Sequence, residues 1–211
     1  MLLSPVPADS RNSRKTSIVL DDNQSPILRK NATMFIMHLI GDIHQPLHAV
    51  GWLTGGNELE PLCWGRSPPP RKNCSGDLNL HSVWDTRIAH KLRGLPVSLD
   101  TAREKQAATE WADDLFSQQS AAGVVGGKGE CAELGTTNCI VGWTRESNAL
   151  VCSHVLRRGE QWILKHDLSE EYFDENWETV DDQIGKAGLR LAAWMNAIAA
   201  ATTGSLMGED L

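Results

Sequence analysis

Long apolar runs are missing from this 211-residue chain. Nothing in it approaches the ~20 residues that a membrane-spanning helix needs, so no span is expected. Basic charge is also in short supply. Twenty Lys and Arg stand against 27 Asp and Glu, for a net charge of −7. That balance excludes a protein that grips nucleic acid through a broad basic surface. It does not exclude one that grips phosphates through bound cations, because an ion is then the dominant local charge. Strand signals are lacking as well: no apolar alternation and no hairpin turn competes with the helical periodicities, and no internal repeat appears. The fold class is therefore all-α, and the length suits one helical domain with a sizeable core. Histidine is absent before His38 and tryptophan before Trp52. Met1-Leu2-Leu3 is too short for the apolar centre of a signal peptide, and Arg11, Arg14 and Lys15 interrupt the next stretch, so no signal peptide is expected in this chain. With Pro5, Pro7 and Pro26, residues 1–30 read as a polar, poorly ordered leader.

The chemistry-bearing residues are concentrated in two short stretches. Met37 to His48 packs His38, Asp42, His44 and His48 into an otherwise apolar run. His38 and Asp42 are four residues apart and share one face of a helix. Pro46 then breaks the pattern and turns the chain so that His48 can return to that face. The second stretch, Asn79 to Asp85, repeats the spacing in His81 and Asp85. Either pair alone is commonly a surface contact or a core histidine bonded to a carbonyl. Two such pairs flanked by Leu39, Ile40, Ile43, Val83 and Trp84 point elsewhere, because burying these segments draws the polar groups inward, where they must be paired or coordinated. Imidazoles and carboxylates converging from two helices are ligands that zinc favours. His44 lies on a different helical face from His38 and Asp42 and is not expected to be a ligand.

The run HLIGDIHQPLH, the Gly55-Gly56-Asn57 element and the run NLHSVWDT together resemble the S1/P1 nuclease family, and ESNALVC at 146–152 and the segment 167–198 extend the resemblance. It implies a single helical domain of the zinc-dependent phospholipase C/P1 nuclease type over 31–201, with a tail at 202–211. It implies clustered zinc ions, three in the family, that serve to cleave single-stranded DNA and RNA and to remove the 3′-phosphate of nucleotides. It further implies His38, Asp42, His48, His81 and Asp85 as metal ligands, with Asp42 catalytic as the residue that bridges two ions and orients the attacking water. Gly55 and Asn57 would contact the nucleobase through a backbone group and the side-chain amide. The bare residues allow a plainer reading, a Gly-Gly turn capped by Asn.

The chain departs from the family where relatives carry an amino-terminal Trp followed by His, Asp and His ligands. The expectation is an N-terminally truncated member in which His48, His81 and Asp85 form one full zinc site. The other ions would be held weakly and hydrolysis impaired. An inactive zinc-binding remnant and a phospholipase C of the same architecture are the alternatives. A monomeric, secreted protein is expected from the resemblance.

The remaining chain reads as scaffold. A first metal helix over 31–45 is succeeded by irregular chain over 49–78, with Pro61–Ser75 as a surface loop. A second metal helix spans 79–93 with Asn79 as its N-cap. Helices over 99–119 and 142–157 and a long amphipathic helix through Trp177, Val180, Ile184, Leu191, Trp194 and Ile198 complete it. Among the five cysteines, Cys63 with Cys74 and Cys131 with Cys139 are local pairs that would each close a loop, though other pairings remain open. They suggest an oxidising compartment. By the resemblance, Cys152 would pair with a cysteine that this chain does not contain. Sequons at Asn23, Asn31 and Asn73 agree with secretion.

Overall fold

The computed structural model describes residues 9–65, 78–96, 100–121 and 137–206. Helices carry nearly all of it. In chain order they are α1 (Asp9–Leu20), α2 (Pro26–Asp42), α3 (80–92), α4 (Thr101–Ala121), α5 (Thr137–Leu150), α6 (Glu160–Ile163) and α7 (Phe173–Leu206). Among the described residues the only β feature is one isolated bridge, Cys63 to Asp167. The all-α expectation is met.

α2 begins where local chemistry tells it to. The Ser25 hydroxyl accepts a hydrogen bond from the Leu28 amide, and Pro26 occupies the first turn, where its missing N–H costs nothing. The helix buries Ala32, Ile36 and Ile40, four residues apart, against α1, α5 and α7. This cluster also holds Val19, Trp143, Trp194 and Ile198. Ile27, Met34, Phe35 and Met37 face outward. Phe35, aligned in the sequence with His38 and Asp42, is thus on the exposed side.

A second apolar cluster lies under α3, with Leu47, Leu62, Leu80, Val83, Ile88, Ile163 and Leu168 among its members. Three π turns border it. Val83–Arg87 interrupts α3, Val151–Val155 extends α5, and Leu168–Tyr172 leads into α7. One side chain touches all three: the buried Tyr172 hydroxyl donates to the Val155 carbonyl at 2.9 Å and accepts from Trp84 Nε1 at 2.8 Å. Such turns carry an extra residue per helical turn and re-aim the side chains around them. Between the clusters, Gln183 on α7 donates to the His44 carbonyl at 2.8 Å and to Ser147 Oγ on α5 at 3.1 Å.

Several boundaries differ from the sequence reading. The segment 1–30, read as a poorly ordered leader, contains α1 and the start of α2. Val19 and Thr16 are buried there, so tertiary burial outweighed the polar composition. α7 runs to Leu206 and takes in part of the expected tail. The loop read over Pro61–Ser75 is not wholly on the surface, because Leu62 and Cys63 are buried. Its residues 66–75, with Asn73 and Cys74, lie outside the described residues, as does Cys131. Cys63 and Cys139 are each disulfide-bonded, and Cys152 is free and exposed.

Candidate metal centre

Two elements bring the first stretch of candidates together. α2 carries His38 and Asp42 on its last turns, with His38 Nε2 3.1 Å from Asp42 Oδ2. The helix stops there, and Gln45 caps a short 3₁₀ turn, Pro46–Ala49, by accepting from the Leu47 amide. That turn delivers His48 to the same side of the molecule. His48 Nδ1 is 4.0 Å from Asp42 Oδ2, and its Nε2 is 3.6 Å from Asp85 Oδ1.

α3 supplies the second pair. The Asn79 side chain accepts from the Ser82 amide as the N-cap, which sets His81 in the first turn and Asp85 in the π turn. His81 Nε2 is 3.2 Å from Asp85 Oδ2. The rings of His48 and His81 meet edge to face, 4.6 Å between centroids. One ligand atom from each of His48, His81 and Asp85 lies within 4.8 Å of the others. All five residues named from the sequence therefore form one connected group. His44 does not join it. Its ring is buried and turned the other way, with Nδ1 donating to the Ile40 carbonyl at 2.6 Å and Nε2 accepting from Arg190 at 2.9 Å.

The electrostatics distinguish these histidines. Burial, with Arg190 alongside, pushes His44 down to about 4, so it is a neutral core residue. His81 is raised, chiefly by its hydrogen bond to Asp85 and secondarily by the Gly55 carbonyl, against the pull of burial. Burial tends to raise Asp85, but hydrogen bonds from His48, His81 and Gln45 overcome it and hold the carboxyl well below the usual range.

Gly55 reaches the site through an unusual backbone. Leu53, Thr54, Gly55 and Gly56 all have positive φ, at 42°, 54°, 67° and 81°. They form one left-handed turn, closed by Gly56 and Asn57 amides onto the Trp52 and Leu53 carbonyls. For Leu53 and Thr54 this conformation costs roughly 1–2 kcal/mol each. The turn aims the Gly55 carbonyl at His81 Nδ1, 2.8 Å away. A carbonyl only accepts, so Nδ1 carries a proton, and it is Nε2, which faces Asp85, whose lone pair would be free for an ion once its own proton is lost. Glycine is required here, since a Cβ at Gly55 would lie 2.7 Å from the Leu47 carbonyl oxygen.

Asn57, the other base-contact candidate, is exposed at the outer end of this turn. Its amide donates to the Thr54 carbonyl at 2.8 Å and accepts from Asn79 at 3.3 Å. Sequence reasoning missed Gln45, whose amide donates to Asp85 Oδ1 at 2.7 Å. Its place directly before Pro46, where an N-cap acceptor is wanted, was the available signal.

The donor set fits a borderline-soft divalent cation. Two imidazole nitrogens and a carboxylate are the three-protein-ligand set of an open zinc site, and the Gly55 carbonyl supplies the outer partner that metal-bound histidines require.

Known proteins resemble this chain over most of its length. The family model described as S1/P1 Nuclease matches residues 10–200. The chain is 34% identical over 192 residues to Nuclease S1 of Aspergillus oryzae, covering 87% of this chain and 59% of that protein. Nuclease P1 of Penicillium citrinum is 32% identical over 190 residues, covering 87% and 63%. Endonuclease 4 of Arabidopsis thaliana is 31% identical over 188 residues, covering 84% and 54%. The chain thus spans roughly three fifths of the length of its fungal relatives. The match runs over most of the chain's length, and the chain belongs to the S1/P1 nuclease family.

Proposed function

We propose that this protein takes part in zinc-dependent hydrolysis of phosphodiester bonds in single-stranded DNA and RNA, and of the 3′-phosphate of nucleotides. The observation that carries the reading is the convergence of His48, His81 and Asp85 in a chain whose relatives are named nucleases. These three residues would hold one zinc ion. Bound zinc supplies Lewis acidity, acidifying a water and neutralising charge on phosphoryl oxygens. The protein's own part is to hold the donors in place and to set the protons of His81 and Asp85. His81 keeps its proton on Nδ1 against Gly55, and Asp85 stays ionised throughout the neutral range.

His38 and Asp42 are the proposed ligands of further ions, with Asp42 also orienting the attacking water as the catalytic carboxylate. Their site is thinner: His38 is 68% exposed, and Asp42 meets only His38 and, at 4.0 Å, His48 among the described residues. The proposal is one ion held well and others held weakly. Gly55 and Asn57 form the proposed nucleobase edge. An amide that donates and accepts at once suits a base, and on substrate binding Asn57 would exchange its Thr54 and Asn79 partners for it. The domain extends over 31–201 and, given α1 and the family match from residue 10, into the preceding residues. Disulfide-bonded Cys63 and Cys139 support an oxidising, secretory setting, and the protein acts as a monomer.

The test measures zinc stoichiometry, then turnover of single-stranded DNA, a 3′-nucleotide and a choline phospholipid, for the chain and for Asp42→Asn and Asp85→Asn. Weak hydrolysis of the nucleic acid that both substitutions abolish is expected. Hydrolysis of the lipid alone would make it a phospholipase C. Stoichiometric zinc without any turnover would make it a non-catalytic zinc-binding domain.

A further inference from the structure

The two stretches that build the metal centre are about forty residues apart in sequence, and one side chain joins them directly. Gln45 is half-buried between the end of α2 and α3. Its Oε1 accepts from the Leu47 amide and so caps the 3₁₀ turn that carries His48. Its Nε2 donates to Asp85 Oδ1 at 2.7 Å. A side-chain amide offers both functions in one rigid plane. The position of the His48 turn and the rotation of the Asp85 carboxylate are therefore fixed by the same group. Asp85 Oδ2, on the His81 side at 3.2 Å, is the oxygen left for an ion.

We propose that Gln45 is a positioning residue of the metal centre, presetting His48 against Asp85 and reserving one oxygen of Asp85 so that the carboxylate offers the ion the other. The inference rests on the reading that His48, His81 and Asp85 bind a metal. Without Gln45, Asp85 keeps only its contacts with His48 and His81, the very donors an ion would take, so more of the site must be ordered at the moment of binding, at an entropic cost. Losing an outer-sphere partner of this kind lowers metal affinity roughly 10–100-fold.

Two substitutions separate positioning from plain capping. Gln45→Met removes both hydrogen bonds at similar volume. Gln45→Ser retains a good N-cap acceptor for the Leu47 amide but is too short to reach Asp85. Zinc and cobalt(II) affinities are measured by competition with a chromophoric chelator. The visible absorption of the cobalt form and the melting of the metal-free protein are recorded alongside. The expected result is a roughly 10–100-fold weaker affinity in both variants, an altered cobalt spectrum in both, and wild-type melting of metal-free Gln45→Ser. Wild-type affinity and spectrum in Gln45→Ser would reduce Gln45 to a cap and overturn the proposal, as would wild-type behaviour in Gln45→Met. Failure of the unsubstituted protein to bind either metal would instead overturn the metal reading beneath it.

Discussion

The two halves of the candidate metal centre share one sequence device and differ in everything around it. His38–Asp42 on α2 and His81–Asp85 on α3 are both His/Asp pairs at i, i+4. The α2 pair is thinly supported. The His38 side chain is 68% exposed and, among the described residues, pairs with Asp42 alone. The α3 pair is supported from behind. His81 is 17% exposed, its Nδ1 is held by the Gly55 carbonyl, and Asp85 is held by Gln45. The contrast teaches that spacing creates the opportunity for a site, while the partners behind the ligands decide its strength. A solvated pair at i, i+4 is worth a few tenths of a kcal/mol. The same pair with its tautomer and rotamer fixed is ready to bind an ion.

The sharpest way to break the contrast is to remove the metal. Zinc that binds only the folded chain stabilises it by about 4 kcal/mol at roughly a thousand-fold excess over Kd. Chelation of a zinc-loaded sample should lower the melting temperature accordingly. His81→Ala should abolish stoichiometric zinc and make melting indifferent to chelator. Elemental analysis and thermal melts check both, and a zinc-loaded sample that melts unchanged with chelator would sink the α3 half as a metal site.

The next effect concerns His44, the histidine that the end of α2 turns inward. Its folded pKa of about 4 lies below the ordinary value of 6.5, so between these pH values the unfolded chain binds a proton that the folded chain refuses. Stability therefore falls as pH drops from about 6.5 to about 4. At about 1.4 kcal/mol per unit the total is about 3 kcal/mol. Urea unfolding of the metal-free protein across that range should show the loss, and His44→Gln should flatten it. An equal slope in both proteins would contradict a buried neutral imidazole.

Gly55→Ala tests the support behind His81. A left-handed φ and a Cβ pressed on the Leu47 carbonyl should cost about 2 kcal/mol in denaturant unfolding. Zinc affinity should fall by about tenfold or more as the carbonyl leaves His81. Loss of stability with unchanged affinity would show that the carbonyl does not orient the ring.

The smallest effect belongs to the α2 half. His38→Ala should change the affinity of the tightest zinc by less than about twofold and stability by less than about 0.5 kcal/mol, as for an exposed pair. Isothermal titration decides it. A loss as large as that of His81→Ala would erase the difference between the halves.

Sequence by itself determined the helical class, since 3.6-residue periodicity ran unopposed; it singled out four of the five candidates, since His and Asp at i, i+4 must share a face, and the fifth, His48, through the break at Pro46. It also placed His44 elsewhere, because a helix rotates by a fixed angle per residue. Tertiary structure decided the rest. α1 is polar in composition, and only contact with α2 and α7 shows why Val19 is buried there. Within the π turn inside α3, Trp84 donates to Tyr172, 88 residues away, and no local pattern encodes that contact. Gly55 read as a turn residue or a base contact, yet its carbonyl serves His81, 26 residues on. Gln45 was not singled out in the first stretch, yet its amide reaches Asp85, 40 residues on. Local rules fix which face a side chain occupies. Which partner stands opposite depends on how separate segments pack, and those partners orient the His81 ring and the Asp85 carboxylate.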